Sequence, residues 1–175
     1  MSDDDLKLLS RQILEHFCNG NADGLDGMAN SGLRVHFAPG VVSAMPAPKN
    51  NRWRDILSAY GEDFIARDDD RERHFNSAGA ENTMDLAELR SLLTCYQENF
   101  SNSRVEIIGQ ISETNSVSTW WAMTAEHTGS LIRDAGAGKT IHWKGASLDR
   151  FSGGKLSESR VVWNKYSFLK GLKIV

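Results

Sequence analysis

Apolar residues recur at steps of three and four over residues 3–18, where Leu6, Leu9, Ile13 and Phe17 form one stripe. That spacing predicts an opening helix. Ser2, or one of Asp3 to Asp5, can cap it and complement its dipole. The segment NGNADG, 19–24, breaks the pattern, and a short second helix is expected to about Asn30. LRVHF, 33–37, alternates apolar and polar side chains and predicts a short strand, followed by a proline-rich loop at Pro39, Pro46 and Pro48. Residues 51–67 predict a helix with Trp53, Ile56, Leu57, Tyr60 and Phe64 on one side. Residues 68–82 are polar and predict a mobile surface loop. Over 84–100, Leu86, Leu89, Leu93, Tyr96 and Phe100 share a helical face, with Thr83 or Asp85 as the cap.

After Ser101 the period shortens to two. Strands are predicted at 104–111, 117–128, 139–151 and 155–166, with a tight turn at Gly153-Gly154. Helices first and an antiparallel meander afterwards predict an α+β domain. One sheet face should lie under the helices, the other exposed or in a subunit contact.

Alternation then sorts the side chains. Trp121, Met123, Ala125 and His127 share a face of one strand; Ile141, Trp143, Gly145, Ser147 and Asp149 share a face of the next. Ser159, Val161, Trp163 and Lys165 share a face of the last. If these sets face the same way, three tryptophans wall an apolar pocket with a few polar groups, as small-molecule sites require. Gly145, Ser147 and Ser159 are expected to leave its empty space. Trp120 falls on the opposite face, and its exposure there would suggest a homodimer interface.

Bulk properties narrow the function. The chain has 175 residues and a net charge of −3, and it suits one domain. No basic run indicates nucleic acid. No apolar run approaches the ~18 residues of a membrane helix. The acidic start, MSDDDLKLLS, lacks a signal-peptide pattern, which points to the cytoplasm. Cys18 and Cys95 read as reduced thiols. GAGKT, 136–140, fails as a phosphate loop: the first glycine would stand at 133, where Arg133 stands, and a strand pattern follows. It reads better as a hairpin turn.

Four pieces in order carry a resemblance: LLSRQILEHFCNGNADGLDGMANSGLRVHFAPG, DLAELRSLLTCYQENFSNSRVEI, AEHTGSL with GKTIHWKGASLDRFSGGKLSES, and YSFLKGL. Together they resemble the SnoaL-like polyketide cyclases of the nuclear transport factor 2-like superfamily. The resemblance implies a curved antiparallel sheet closed by N-terminal helices into a cone, with residues 45–82 as a divergent insertion. It also implies a cofactor-independent, metal-free intramolecular aldol condensation run by a pocket carboxylate. The family's aspartate lies three residues after a glutamate that matches Glu158, so its position here is Val161. A family histidine matches Ser159, and a polar pair matches Gly145 and Ser147.

The expectation is therefore a binder of a hydrophobic carbonyl compound. If it is an enzyme, Asp149 would be the acid/base group, with His36 or His127 polarising the oxygen. The alternative for Asp149 is an ion pair with Lys144 or Arg160. Trp121, Met123, Trp143, Ser147, Val161, Trp163 and Tyr60 would line the pocket. The alternative is a non-catalytic binding protein, since valine cannot move a proton.

Overall fold

The computed structural model describes residues 1–37, 82–128 and 138–173. The expected helix at 51–67 with Tyr60, the proline-rich loop, residues 68–81 and the first half of the GAGK turn lie outside the described residues.

Helix α1 spans Asp3–Cys18 and opens with Ser2, whose hydroxyl accepts from Asp5 N while the Asp5 carboxylate accepts from Ser2 N. This reciprocal pair satisfies two backbone donors at the helix start. A single 3-10 turn, Asp23–Leu25, stands where a short helix was expected, and strand β1 begins early, at Ala29–Phe37. The cause is the pairing of Ala29 with Leu156 across the sheet, which draws the chain into extended form. Strand β2 is Asn82–Met84 and helix α2 is Leu86–Asn99. Asp85 and Glu88 form the same reciprocal cap on α2.

The meander follows the alternation closely: β3 Phe100–Glu113, β4 Ser116–His127, β5 Thr140–Ser152 and β6 Lys155–Trp163. The last strand stops at Trp163 rather than 166. The Asn164 side chain accepts from Ser167 N and starts helix α3, Lys165–Gly171, which takes Lys165 out of the sheet.

The strand order is β2-β1-β6-β5-β4-β3. The sheet is curved and mixed rather than purely antiparallel, because β1 lies parallel to β6. Local alternation does not encode that long-range pairing. Helix α1 packs on β3 and β4, α2 on β1, and α3 on β5. All three helices cover one face. On β4 that face carries Val117, Thr119, Trp121, Met123, Ala125 and His127, all buried. Each large apolar side chain withdrawn from water there contributes roughly 1.5–3 kcal/mol. Burial pushes the Cys18 thiol up to about 12 and the Cys95 thiol to about 11, so both stay protonated at neutral pH. Among the described residues, no helix is long and apolar enough to cross a membrane.

Gly20, just past the end of α1, lies against α2. Its φ is +64°, and a Cβ there would meet Gln97 Cβ at 2.7 Å and the Leu93 carbonyl oxygen at 2.8 Å. Gly20→Ala is expected to cost about 1–3 kcal/mol, through both backbone strain and overpacking. Urea unfolding measures this as a lower midpoint at unchanged slope. An unaltered midpoint would contradict the tight α1–α2 contact.

Candidate functional site

The covered face of the sheet and the three helices enclose a cavity of about 100 Å³. Its sheet side carries the expected Trp121, Met123, Trp143, Ser147, Val161 and Trp163. Asp149 and Ser159 line it too. Its helical side was not foreseen: Ile13, Leu14 and Phe17 come from α1, Leu92, Leu93 and Tyr96 from α2, and Phe168 from α3. Phe168 packs edge-on against both Trp143 and Trp163, with ring centroids 5.2 and 5.1 Å apart. Such aromatic contacts add to the area they bury.

Asp149 is fully buried, and among the described residues its partners are hydroxyls rather than cations. Ser159 Oγ donates to Oδ1 at 2.6 Å, and Ser10 Oγ donates to Oδ2 at 2.7 Å. Ser147 Oγ makes a longer 3.4 Å contact with Oδ2. Lys144 and Arg160, the alternative partners, sit on the opposite face of the sheet, with Arg160 bound to Glu158. Behind Ser10, Thr119 Oγ1 lies 3.2 Å away and receives Gln110 Nε2 at 3.1 Å. Ser10 spends its proton on Asp149, so Thr119 must donate to Ser10. The chain Gln110, Thr119, Ser10 therefore points every donor toward the carboxylate, and aligned bonds of this kind polarise one another. Burial raises the Asp149 pKa above the ordinary 3.8, and the hydrogen bonds from Ser159, Ser10 and Ser147 pull it back.

Ser10, Thr119 and Gln110 escaped the sequence pattern. One signal for Ser10 was present: the buried line of α1 is Leu6, Ser10, Ile13, Leu14 and Cys18, and a hydroxyl at a core position of a helix needs a partner.

The two histidines do not join Asp149. Val35 and Phe37 of β1 are buried on the covered side, so His36 turns to the other face. There its Nε2 lies 3.4 Å from Glu158 Oε1 and its Nδ1 3.0 Å from Thr83 Oγ1. Glu158 also binds Arg150 and Arg160, bridging the β5–β6 hairpin. His127 is buried on the covered side, 5.6 Å from the Phe100 ring centroid, but it does not line the cavity. Asp149 pairs with Val117, and His127 lies about ten residues further along β4. At ~3.3 Å per residue the two are roughly 30 Å apart. Parity fixed the face of His127 but not its position along the strand.

The small residues also act differently from expectation. A Cβ on Gly145 would sit 2.4 Å from Cζ2 and Cη2 of Trp121. The missing side chain is therefore filled by the indole, and Ser147 and Ser159 turn onto Asp149. The remaining ~100 Å³ is below the ~150 Å³ of a benzene-binding cavity. It is well below the ~300–1,000 Å³ of drug-sized sites.

The SnoaL-like polyketide cyclase family model matches residues 46–172. The chain belongs to that family. The match runs through residues 46–82, which the motif resemblance had set apart, and starts beyond α1. Among solved structures, the chain is similar to AclR of Streptomyces galilaeus, a proposed hydroxylase, with a TM-score of 0.68 and 15% identity over 99% of this chain and 88% of that one. It is similar to a proposed polyketide cyclase of Acidithiobacillus ferrooxidans, with a TM-score of 0.65 and 18% identity over 99% and 98%. It is also similar to IdmH of Streptomyces antibioticus, a proposed polyketide cyclase, with a TM-score of 0.67 and 11% identity over 96% and 98%. At these identities the likeness establishes the fold, a cone-shaped α+β architecture of the nuclear transport factor 2-like kind. A search of the curated proteins returns no match.

The raised Asp149 pKa has a consequence for stability. The folded chain holds that proton to higher pH than the unfolded chain does. Stability from this group is thus greatest below the unfolded value and falls as pH rises through the folded one. Asp149→Asn is expected to be more stable than the parent at pH 7, with the advantage shrinking as pH falls through the folded value and levelling off below about pH 4. Urea titrations across pH test this. A difference between the two proteins that stays flat with pH would contradict a raised pKa.

Proposed function

We propose that the chain binds a hydrophobic carbonyl compound in this cavity and that Asp149 exchanges a proton with it, as a cofactor-independent cyclase or isomerase. The observation that carries the reading is a buried carboxylate, opening on an apolar cavity and held by hydroxyls. Of its roughly four acceptor positions, Oδ1 receives one hydroxyl and Oδ2 two, which leaves Oδ1 an acceptor site for a substrate proton. Desolvation brings its basicity closer to what proton transfer beside a carbonyl needs.

The register adds support. Val161, which the motif resemblance matches to the family's acid/base position, pairs with Ser147, while Asp149 pairs with Ser159. Asp149 is thus a diagonal neighbour of Val161, about 7–8 Å away across the β5–β6 ladder. The carboxylate has moved to the adjacent strand within the same cavity wall. The volume limits the entering group to a small ring or short chain unless side chains move aside.

A second reading, a binding protein without turnover, is favoured by one observation: Val161, which the motif resemblance matches to the family's acid/base position, lines the cavity with a side chain that moves no proton. Proton exchange separates the two. Cyclopentanone in D₂O loses its α-protons to deuterium when a base removes them, and ¹H NMR follows this. The parent is expected to accelerate the exchange, and Asp149→Asn to lose 10²-fold or more of it. No acceleration by the parent would favour the binder. Full activity in the variant would dismiss Asp149.

The uncovered face of the sheet supports a homodimer. Trp120 pairs with Ala146, which pairs with Val162; Ser118 between Ile111 and Leu148 forms the next row. Trp120, Val162, Ile111 and Leu148 are all exposed, and this apolar surface suits a second copy. Sedimentation should show a dimer for the parent and a monomer for Trp120→Glu. A monomeric parent would refute the interface.

A further inference from the structure

We infer that Gln110, which does not line the cavity, is a positioning residue for Asp149: its amide sets the direction of the Thr119–Ser10 hydroxyl pair, which keeps Oδ2 an acceptor and leaves Oδ1 to exchange the proton. This deepens the proton-transfer reading and rests on it.

The direction is fixed by the main chain. Gln110 Nε2 lies 3.2 Å from the Lys7 carbonyl oxygen and 3.1 Å from Thr119 Oγ1. A carbonyl only accepts, so the amide nitrogen, and not the amide oxygen, must stand between them. Its second proton then occupies a lone pair of Thr119. The Thr119 proton is turned to Ser10, 3.2 Å away, and Ser10 donates to Oδ2 at 2.7 Å. The anchor of the chain is therefore a backbone carbonyl of α1, the same helix that carries Ser10.

The sheet is shaped to bring this amide in. On β3, Val105 and Ile107 pair with Met123 and Trp121, which line the cavity. Strict alternation would next turn Gly109 and Ile111 to that face and Gln110 away from it. The register instead shifts between Ile107 and Gly109. After the shift Gln110 stands directly across from Thr119, and Ile111 is left 61% exposed. Bulges re-aim side chains in this way beside functional sites.

The hydroxyls work without competition from charge. Burial and three serines act on Asp149, and no charged group among the described residues does. Arg150 of β5 and Glu158 and Arg160 of β6 bind one another on the uncovered face. Glu126 of β4 is held by Asn102, while Glu113 of β3 and Arg11 of α1 are exposed. Lys7 lies beside Asp4. Oδ2 faces Ser10 and Ser147, whereas Oδ1 receives Ser159 alone.

The test is a ¹³C NMR titration of the Asp149 carboxyl in the parent, Gln110→Met, Thr119→Val and the double variant. Methionine removes both amide donors at similar volume. Each single change is expected to raise the midpoint by about 0.2–0.6 of a pH unit, because the Ser10 bond loses the polarisation behind it. The double variant should move no further than the larger single shift, since both cuts fall in one chain. Thr119→Ser, which keeps the hydroxyl, should restore the parent midpoint. The pH profile of cyclopentanone exchange should shift by the same amount. An unmoved midpoint in Gln110→Met, or shifts that add in the double variant, would overturn the inference. The titration needs no ligand, so it judges Gln110 separately from the exchange assay, where inactivity of the parent would overturn the proton-transfer reading.

Discussion

A buried carboxylate whose partners, among the described residues, are hydroxyls and not cations is the constraint around which the rest of the described structure is arranged. Asp149 is withdrawn from water at the covered face of a curved sheet, and hydroxyls from three elements hold it: Ser10 of α1, Ser147 of β5 and Ser159 of β6. A charge in so dry a place is tolerated only with donors around it. The donors here are neutral, which keeps the group closer to its proton than an arginine partner would. The same bonds fasten the opening helix to the sheet. Moving α1 would strip Oδ2 of its shortest bond, so the site and the helix–sheet packing depend on one another.

Around that group the wall is apolar and heavily filled. Trp143 and Trp163 are braced by Phe168, and Trp121 lies over the bare backbone of Gly145. Interiors packed this densely leave little room, and the ~100 Å³ that remains is a slot rather than a chamber. The polar content of the slot is sparse: the carboxylate of Asp149 and the hydroxyls of Ser147 and Ser159.

Much of this was legible in the chain because strands obey a period of two. Trp121, Trp143 and Trp163 all fall on the covered side, as alternation requires, and the opening helix and its Ser2 cap follow from spacing and capping chemistry. Alternation assigns a face and nothing else. It could not place His127 far along β4 from Asp149, because distance within a sheet depends on register. It could not put β1 parallel to β6, a contact between residues more than a hundred positions apart, and so could not send His36 to Glu158. Ser10 stands outside the stripe of Leu6, Leu9, Ile13 and Phe17 that spacing picks out, though it belongs to the buried line itself. Gly145 looked like space, when its role is to admit the ring of Trp121.

The central claim is that Asp149 keeps a raised proton affinity inside its ring of serines. The most direct measurement is a ¹³C NMR titration of the Asp149 side-chain carboxyl, assigned by its loss in Asp149→Asn. The account predicts a midpoint above the ordinary 3.8, moving higher still in Ser159→Ala as a donor is removed. A midpoint at or below 3.8, or one indifferent to the serine, would contradict it.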